Sequence, residues 1–139
     1  MKQHQEGFEV STGGRELYDL TRTVAEIVAR SGVKQGLCTV FCPHTSASLL
    51  IQENADPSVR ADLDDWLERL APDGDPRYRH DAEGPDDMAA HLRSAVTRSS
   101  ENIPVVAGRL ALGTWQALYL YEHRLRAHRR RLVVHVSGE

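Results

Sequence analysis

The sequence predicts a single α+β domain over residues 1–139, with a largely antiparallel curved sheet, half-barrel or sandwich-like, and about three helices. Three observations lead there. With 139 residues, 40% of them hydrophobic and 27% charged, the chain is long enough for one substantial core and too apolar for disorder. Helical periodicity occurs in only three stretches. Strand-like runs flank those stretches and crowd the C-terminal third, without the regular β-α-β alternation of a parallel sheet.

In order along the chain, Gln5–Ser11 alternates weakly and reads as an edge strand, and Thr12-Gly13-Gly14 breaks it. Leu17, Leu20, Val24, Ile27 and Val28 predict a helix over Glu16–Arg30 with Gly32 as its stop. Leu37–Phe41 reads as a buried strand, interrupted by Pro43, and Ser46–Gln52 resumes strand character. Asp56 is a good N-cap, and Pro57 sits at the first helical position, where its missing N–H costs nothing. Val59, Leu63, Trp66, Leu67 and Leu70 then predict an apolar helix face, and Pro72–Pro76 a closing turn. After a loop over Tyr78–Pro85, Asp86–Thr97 reads as a helix with Met88, Leu92, Ala95 and Val96 inward and an acidic first turn that suits the helix dipole. Four strands complete the chain, Ile103–Ala107, Leu110–Leu112, Trp115–Tyr121 and Leu132–Val136.

Composition excludes several classes. No apolar run is long enough to span a bilayer, and the N-terminus lacks the apolar core of a signal peptide. Cys38 and Cys42 lie four apart, on one strand face and beyond disulfide reach, so cytoplasmic residence is the default and Cys42 reads as inert. A net charge of −3 gives no overall drive toward nucleic acid. Charge is unevenly spread, however: Glu53–Asp87 holds twelve carboxylates against four arginines, while Tyr121–Glu139 holds five arginines and two carboxylates. The arginine-rich stretch His123–Arg131 is read as a solvated loop pairing with the acidic middle, in preference to a nucleic-acid patch.

The chemistry gathers around three histidines. His44 lies in Cys42-Pro43-His44-Thr45-Ser46-Ala47-Ser48, His80 in Tyr78-Arg79-His80-Asp81, and His91 four residues after Asp87. Imidazole ligates transition metals and moves protons near neutral pH. Asp87 and His91 share one side of a helix, so Asp87 can join His91 on a metal or orient its ring. Three protein ligands with an open fourth position are the usual catalytic zinc arrangement, and His44, His80 and His91 are the candidate set. The spacing does not decide the matter, because a lone histidine is more often structural, as His4, His128 and His135 are read here. Ser46 and Ser48 beside His44 suit an anion such as phosphate, or are ordinary strand residues; no G-x-S-x-G elbow supports a serine nucleophile. Trp115 reads as core or subunit contact, and Gln116 as a residue that needs a partner if buried.

The run from His44 to Leu49 with Glu53-Asn54-Ala55-Asp56-Pro57, the Tyr78–Asp81 segment, Gly84–Met88 with His91, and Gly108 followed by Gly113-Thr114-Trp115-Gln116 resemble the YjbQ-like family, often labelled secondary thiamine-phosphate synthase. Glu122-His123-Arg124 and the closing strand fit as well. The resemblance runs nearly end to end. It implies a half-barrel α+β fold, a homotrimer, and a polar cleft near a subunit boundary that holds a metal ion or an anion. The matching positions are His44, Ser46, Ser48, Glu53, His80, Asp81, Asp86, Asp87 and His91. The activity it implies joins a hydroxymethylpyrimidine diphosphate to a thiazole phosphate and expels pyrophosphate. Cys42 and Pro85 depart from the family pattern without removing a site residue.

The expectation is therefore an enzyme acting on a phosphorylated small molecule, with Asp86, Asp87, Glu53 and Asp81 as catalytic carboxylates. His44, His80 and His91 would hold a divalent metal, Zn or Mg, while Ser46, Ser48 and Arg109 would contact the anion. The alternative is a non-catalytic metal- or anion-binding module. A membrane or nucleic-acid partner is not expected.

Overall fold

The computed structural model describes residues 1–139. Eleven elements follow one another as β1 (Lys2–Ser11), β2 (Glu16–Asp19), α1 (Thr21–Ser31), β3 (Gln35–Phe41), β4 (Ala47–Glu53), α2 (Pro57–Leu70), α3 (Asp87–Val96), β5 (Ser100–Val106), β6 (Arg109–Leu110), β7 (Gln116–Glu122) and β8 (Arg129–Gly138). The expected curved antiparallel sheet is present as two ladders, one ordered β1-β8-β3-β5-β6 and the other β2-β7-β4. Every strand pair is antiparallel. Both ladders turn apolar faces to one core: Cys38, Val40, Leu132, Val134 and Val136 come from the first, and Ala47, Leu49, Leu118 and Leu120 from the second.

The helix expected over Glu16–Arg30 begins later. Glu16–Asp19 is a strand, because Leu17 and Tyr18 find ladder partners in Tyr121 and Leu120 of β7. Tertiary pairing outweighs a spacing that also fits a helix. Asp19 accepts the Thr21 N–H at 2.9 Å and starts α1, whose Val24, Ile27 and Val28 are buried. Gly32 closes that helix at φ 71°, a left-handed cap that costs glycine little. β3 is buried on one face only: Cys38 and Val40 point inward, while Leu37 and Phe41 are exposed. The strand expected over Leu110–Leu112 is a two-residue pairing, Arg109–Leu110, against β5.

Asp56 caps α2 as expected, accepting the Ser58 N–H at 2.9 Å, with Pro57 in the first turn. Of the expected apolar face only Leu67 is fully buried, and Trp66 and Leu70 are about half exposed. α3 meets the expected burial only in part: Met88 and Leu92 are half-buried, Ala95 is exposed, and the fully buried set is a different one. Its inward residues are Asp87, Ala89, Ala90 and Arg93, whereas Val96 is exposed. Two alanines allow close approach, and the buried Arg93 donates to the Ala71 carbonyl at the C-terminal end of α2. There the helix dipole favours a cation. Trp115, expected in the core or at a subunit contact, is 62% exposed in the single chain. Gln116 is exposed too, and its amide oxygen accepts the Gly113 N–H at 2.8 Å.

No helix is long and apolar enough to cross a membrane. Both cysteines are free and buried, and burial pushes their thiols up to about 11, which keeps them protonated.

Candidate functional site

The first turn of α3 builds the site. Asp87 opens the helix and His91 follows one turn later, so both side chains share a face. The loop between α2 and α3 folds back and brings His80 to the same place. Asp87 Oδ2 lies 2.6 Å from His80 Nε2 and 3.1 Å from His91 Nε2. The two rings meet edge to face with centroids 5.3 Å apart. One ligand atom from each of His80, Asp87 and His91 falls within 4.8 Å of the others. Asp87 is buried, while the two imidazoles are partly open to solvent.

Arg124, just after β7, latches this cluster. Its Nη1 donates to Asp87 Oδ1 at 2.7 Å, its Nε to Asp86 Oδ2 at 3.0 Å, and its Nη2 to the Glu83 carbonyl at 2.9 Å. Asp86 also accepts the Leu125 N–H at 2.9 Å. Burial acts to raise both carboxyls, but the opposing contacts win and hold both below the usual range. These are His80 and Arg124 at Asp87, and Arg124 with the Leu125 N–H at Asp86. The hydrogen bond to Asp87 raises the His80 pKa, and Glu83 Oε2 lies 3.1 Å from the same nitrogen. The expected pairing of the arginine-rich loop with the acidic middle is thus realised at Arg124.

The expected histidine set is assembled differently. His44 is not part of the cluster: its Nε2 accepts the Arg131 N–H at 2.9 Å, tying it to β8. It lines instead a cleft of about 290 Å³ shared with Thr45, Ser48, His91, Ser94 and Ser99. His91 therefore stands between the cluster and this cleft. On the other side, a cleft of about 340 Å³ is lined by His80, Asp81, Tyr78 and Asp75. Asp81 is exposed there. Asp86 abuts the cluster, yet Arg124 and Leu125 occupy its Oδ2.

Other expected site residues lie elsewhere. Glu53 ends β4, about six strand residues or roughly 20 Å from its start beside His44. Its carboxylate accepts the Ala55 and Asp56 N–H groups at 2.7 Å each and staples the turn into α2. Arg109 is exposed on β6, beside α1 and away from the cluster. Ser46 Oγ accepts from Arg130 Nη2 at 3.0 Å, and that guanidinium is itself paired with buried Glu122. A loop anion finds that cation already occupied.

Sequence reasoning assigned His123 no role beyond the arginine-rich loop. It is fully buried, its Nε2 is 2.8 Å from Ser48 Oγ, and Ser48 in turn is 2.6 Å from Thr97 Oγ1. Thr97 donates to the Arg93 carbonyl at 2.7 Å, so the chain of protons runs from His123 Nε2–H through Ser48 and Thr97 to that carbonyl. Burial, with Arg93, Arg15 and Arg130 nearby, drives the His123 pKa down to about 3. It is a neutral donor that fixes the Ser48 hydroxyl, not a base that activates it. The only sequence signal was its place in Glu122-His123-Arg124.

An antiparallel α+β sheet fold carrying a His-Asp-His cluster beside a hydroxyl-lined cleft defines the class of protein. The family model described as UPF0047 protein YjbQ-like matches residues 6–139, and the chain belongs to this family. It is 56% identical to UPF0047 protein sll1880 of Synechocystis over 138 residues, 99% of this chain and 94% of that one. UPF0047 protein YjbQ of Salmonella typhimurium is 45% identical over 107 residues, 77% of each. Among solved structures, an uncharacterized YjbQ/UPF0047 protein of Clostridium acetobutylicum superposes with TM-score 0.87 at 34% identity, covering 95% of this chain and 99% of that one. Hypothetical protein APE1520 of Aeropyrum pernix gives 0.88 at 32% identity, covering 98% and 99%.

Proposed function

We propose that the chain is a divalent-metal-dependent enzyme acting on a phosphorylated small molecule, with His80, Asp87 and His91 holding the metal. The observation that carries this is the convergence of three ligand atoms within 4.8 Å on a buried carboxylate. The local charge supports a cation: Asp86, Asp87 and Glu83 stand against the single guanidinium of Arg124. A tetrahedral zinc with bonds near 2.05 Å keeps its ligand atoms roughly 3.3 Å apart. The 2.6 and 3.1 Å contacts would open by several tenths of an ångström, and any excess in the His80–His91 nitrogen separation, which lies within 4.8 Å, would have to close. Arg124 holds the far oxygen of Asp87, the kind of outer support that fixes a ligating carboxylate.

In such an enzyme the cation would neutralise a phosphoryl or diphosphate oxygen. Asp87 keeps its carboxylate ionised, His80 and His91 present their Nε2 atoms, and Arg124 prevents Asp87 from rotating away. In keeping with the family resemblance, the reaction we propose is of thiamine-phosphate synthase type, the union of a hydroxymethylpyrimidine diphosphate with a thiazole phosphate. A homotrimer and cytoplasmic residence belong to the same proposal. Exposed Leu37, Phe41, Trp66 and Trp115 offer apolar surface for subunit contact, and two unpaired cysteines suit a reducing compartment.

The test is pyrophosphate release from these two substrates with zinc- or magnesium-loaded protein, beside Asp87→Asn. The expected result is metal-dependent turnover that falls about 100-fold in the variant. Turnover indifferent to both chelation and Asp87→Asn would contradict the proposal, and metal binding without turnover would favour a binding module.

A further inference from the structure

We infer that the cleft beside His91 is a subsite for a neutral polyol, so that the whole site takes a sugar-phosphate-like ligand. Its phosphoryl group would lie at the His80–Asp87–His91 cluster and its hydroxyls in the cleft. The inference rests on the metal reading above for the phosphoryl end only and departs from the pyrimidine and thiazole substrates named there.

The cleft has no charged lining. His44, Thr45, Ser48, His91, Ser94 and Ser99 supply its polar surface, with two alanine methyls between them, and no lysine, arginine or carboxylate contributes. An anion buried here would lose water without gaining a cation, and a cation would gain no carboxylate. The occupant that fits is uncharged.

The polar groups are those that hydroxyls satisfy. His44 Nε2 meets the Arg131 backbone, 2.9 Å from its nitrogen and 3.2 Å from its carbonyl oxygen, which leaves Nδ1 for a ligand hydroxyl that can both give and accept. Ser94 Oγ is buried just beneath the surface with no partner in the protein, so a ligand hydroxyl reaches it on a small shift of the lining. Thr45 and Ser99 add exposed hydroxyls that donate or accept. Ser48 is buried and locked by His123 and Thr97, so it forms the floor of the cleft and does not reach a ligand. A ring of sugar size fits within about 290 Å³, and its hydroxyls match groups that both give and take hydrogen bonds. His91 belongs to both cleft and cluster, so one molecule reaches the two.

The test uses the full chain loaded with zinc and three probes: D-ribose 5-phosphate, D-ribose and inorganic phosphate. Affinities come from calorimetry and locations from amide shifts in NMR spectra. The inference expects ribose 5-phosphate to bind about 10-fold more tightly than inorganic phosphate, as two or three added hydrogen bonds would give. Ser94→Ala/Ser99→Ala should abolish that gain and leave inorganic phosphate binding unchanged. D-Ribose alone should shift the amides of Thr45, Ser94 and Ser99. Equal affinity for ribose 5-phosphate and inorganic phosphate, or ribose shifts that the double variant retains, overturns the subsite. If ribose shifts these amides but inorganic phosphate fails to bind, the subsite stands and the metal–phosphate reading falls.

Discussion

His123 gives the sharpest quantitative prediction. A histidine whose pKa is about 3 in the folded chain and 6.5 in the unfolded chain makes folding pH-dependent. Below pH 6.5 the unfolded chain binds a proton there that the folded chain refuses until about pH 3. Its contribution is therefore full above pH 6.5 and is lost as pH falls toward 3. At pH 5 the gap is 1.5 units, which at 1.36 kcal/mol per unit is about 2 kcal/mol. The perturbation is His123→Gln, whose amide can still donate to Ser48 Oγ but does not titrate. Urea denaturation of both proteins at pH 7 and pH 5 gives each one's loss of stability over that range. His80, with its raised pKa, contributes in the opposite sense and His44 in the same sense, but both are present in wild type and variant and cancel in the comparison. The wild type should lose about 2 kcal/mol more than the variant between pH 7 and pH 5. Equal losses would refute the assignment of His123 as a buried, neutral donor.

Three further outcomes follow from the same contacts. Arg124→Met removes the latch on Asp86 and Asp87 and should cost about 2–3 kcal/mol in urea midpoint terms, with zinc affinity about 10-fold weaker by competition titration; an unchanged affinity would detach Arg124 from the site. Glu122→Gln leaves the Arg130 guanidinium buried without its carboxylate and should cost about 3–5 kcal/mol. Burial acts to raise Glu122, yet Arg130 and Thr12 hold it below 4.5, so its stabilisation is present above that pH and fades below it; a flat wild-type acid limb would speak against this. Gly14→Ala, at φ 127°, places a methyl 2.7 Å from the Leu125 carbonyl and should lower stability by about 1–3 kcal/mol, read as a drop in Tm, whereas an unchanged Tm would mean that the loop yields freely.

The sequence made the antiparallel α+β class legible because its helices are few and its strands cluster without crossovers. Local chemistry was equally readable at Asp56-Pro57, where a capping carboxylate meets a proline that fits the first turn, and at Gly32. The Asp87–His91 pairing followed from helix geometry alone, and His80 joined it through a loop whose path no periodicity encodes. Glu16–Asp19 is ambiguous in the sequence because its apolar spacing fits a helix as well as a strand, and only β7 decides. The burial of Arg93 and Asp87 on α3 is not legible in the sequence because their contacts, Ala71 for one Arg93 nitrogen and Arg124 for Asp87, are distant along the chain. Glu53 looks close to His44 along the chain, yet the full length of β4 separates them. His123 escaped because burial, not a neighbouring residue, gives it its character.

The central question is whether His80, Asp87 and His91 hold a metal. The most direct measurement is zinc binding by calorimetry and elemental analysis, for the full chain beside a His80→Ala/His91→Ala variant whose fold is checked by circular dichroism. The expected result is one zinc per chain in the wild type and its loss in the folded variant. A wild type that binds no zinc, or a variant that binds it undiminished, would contradict the claim.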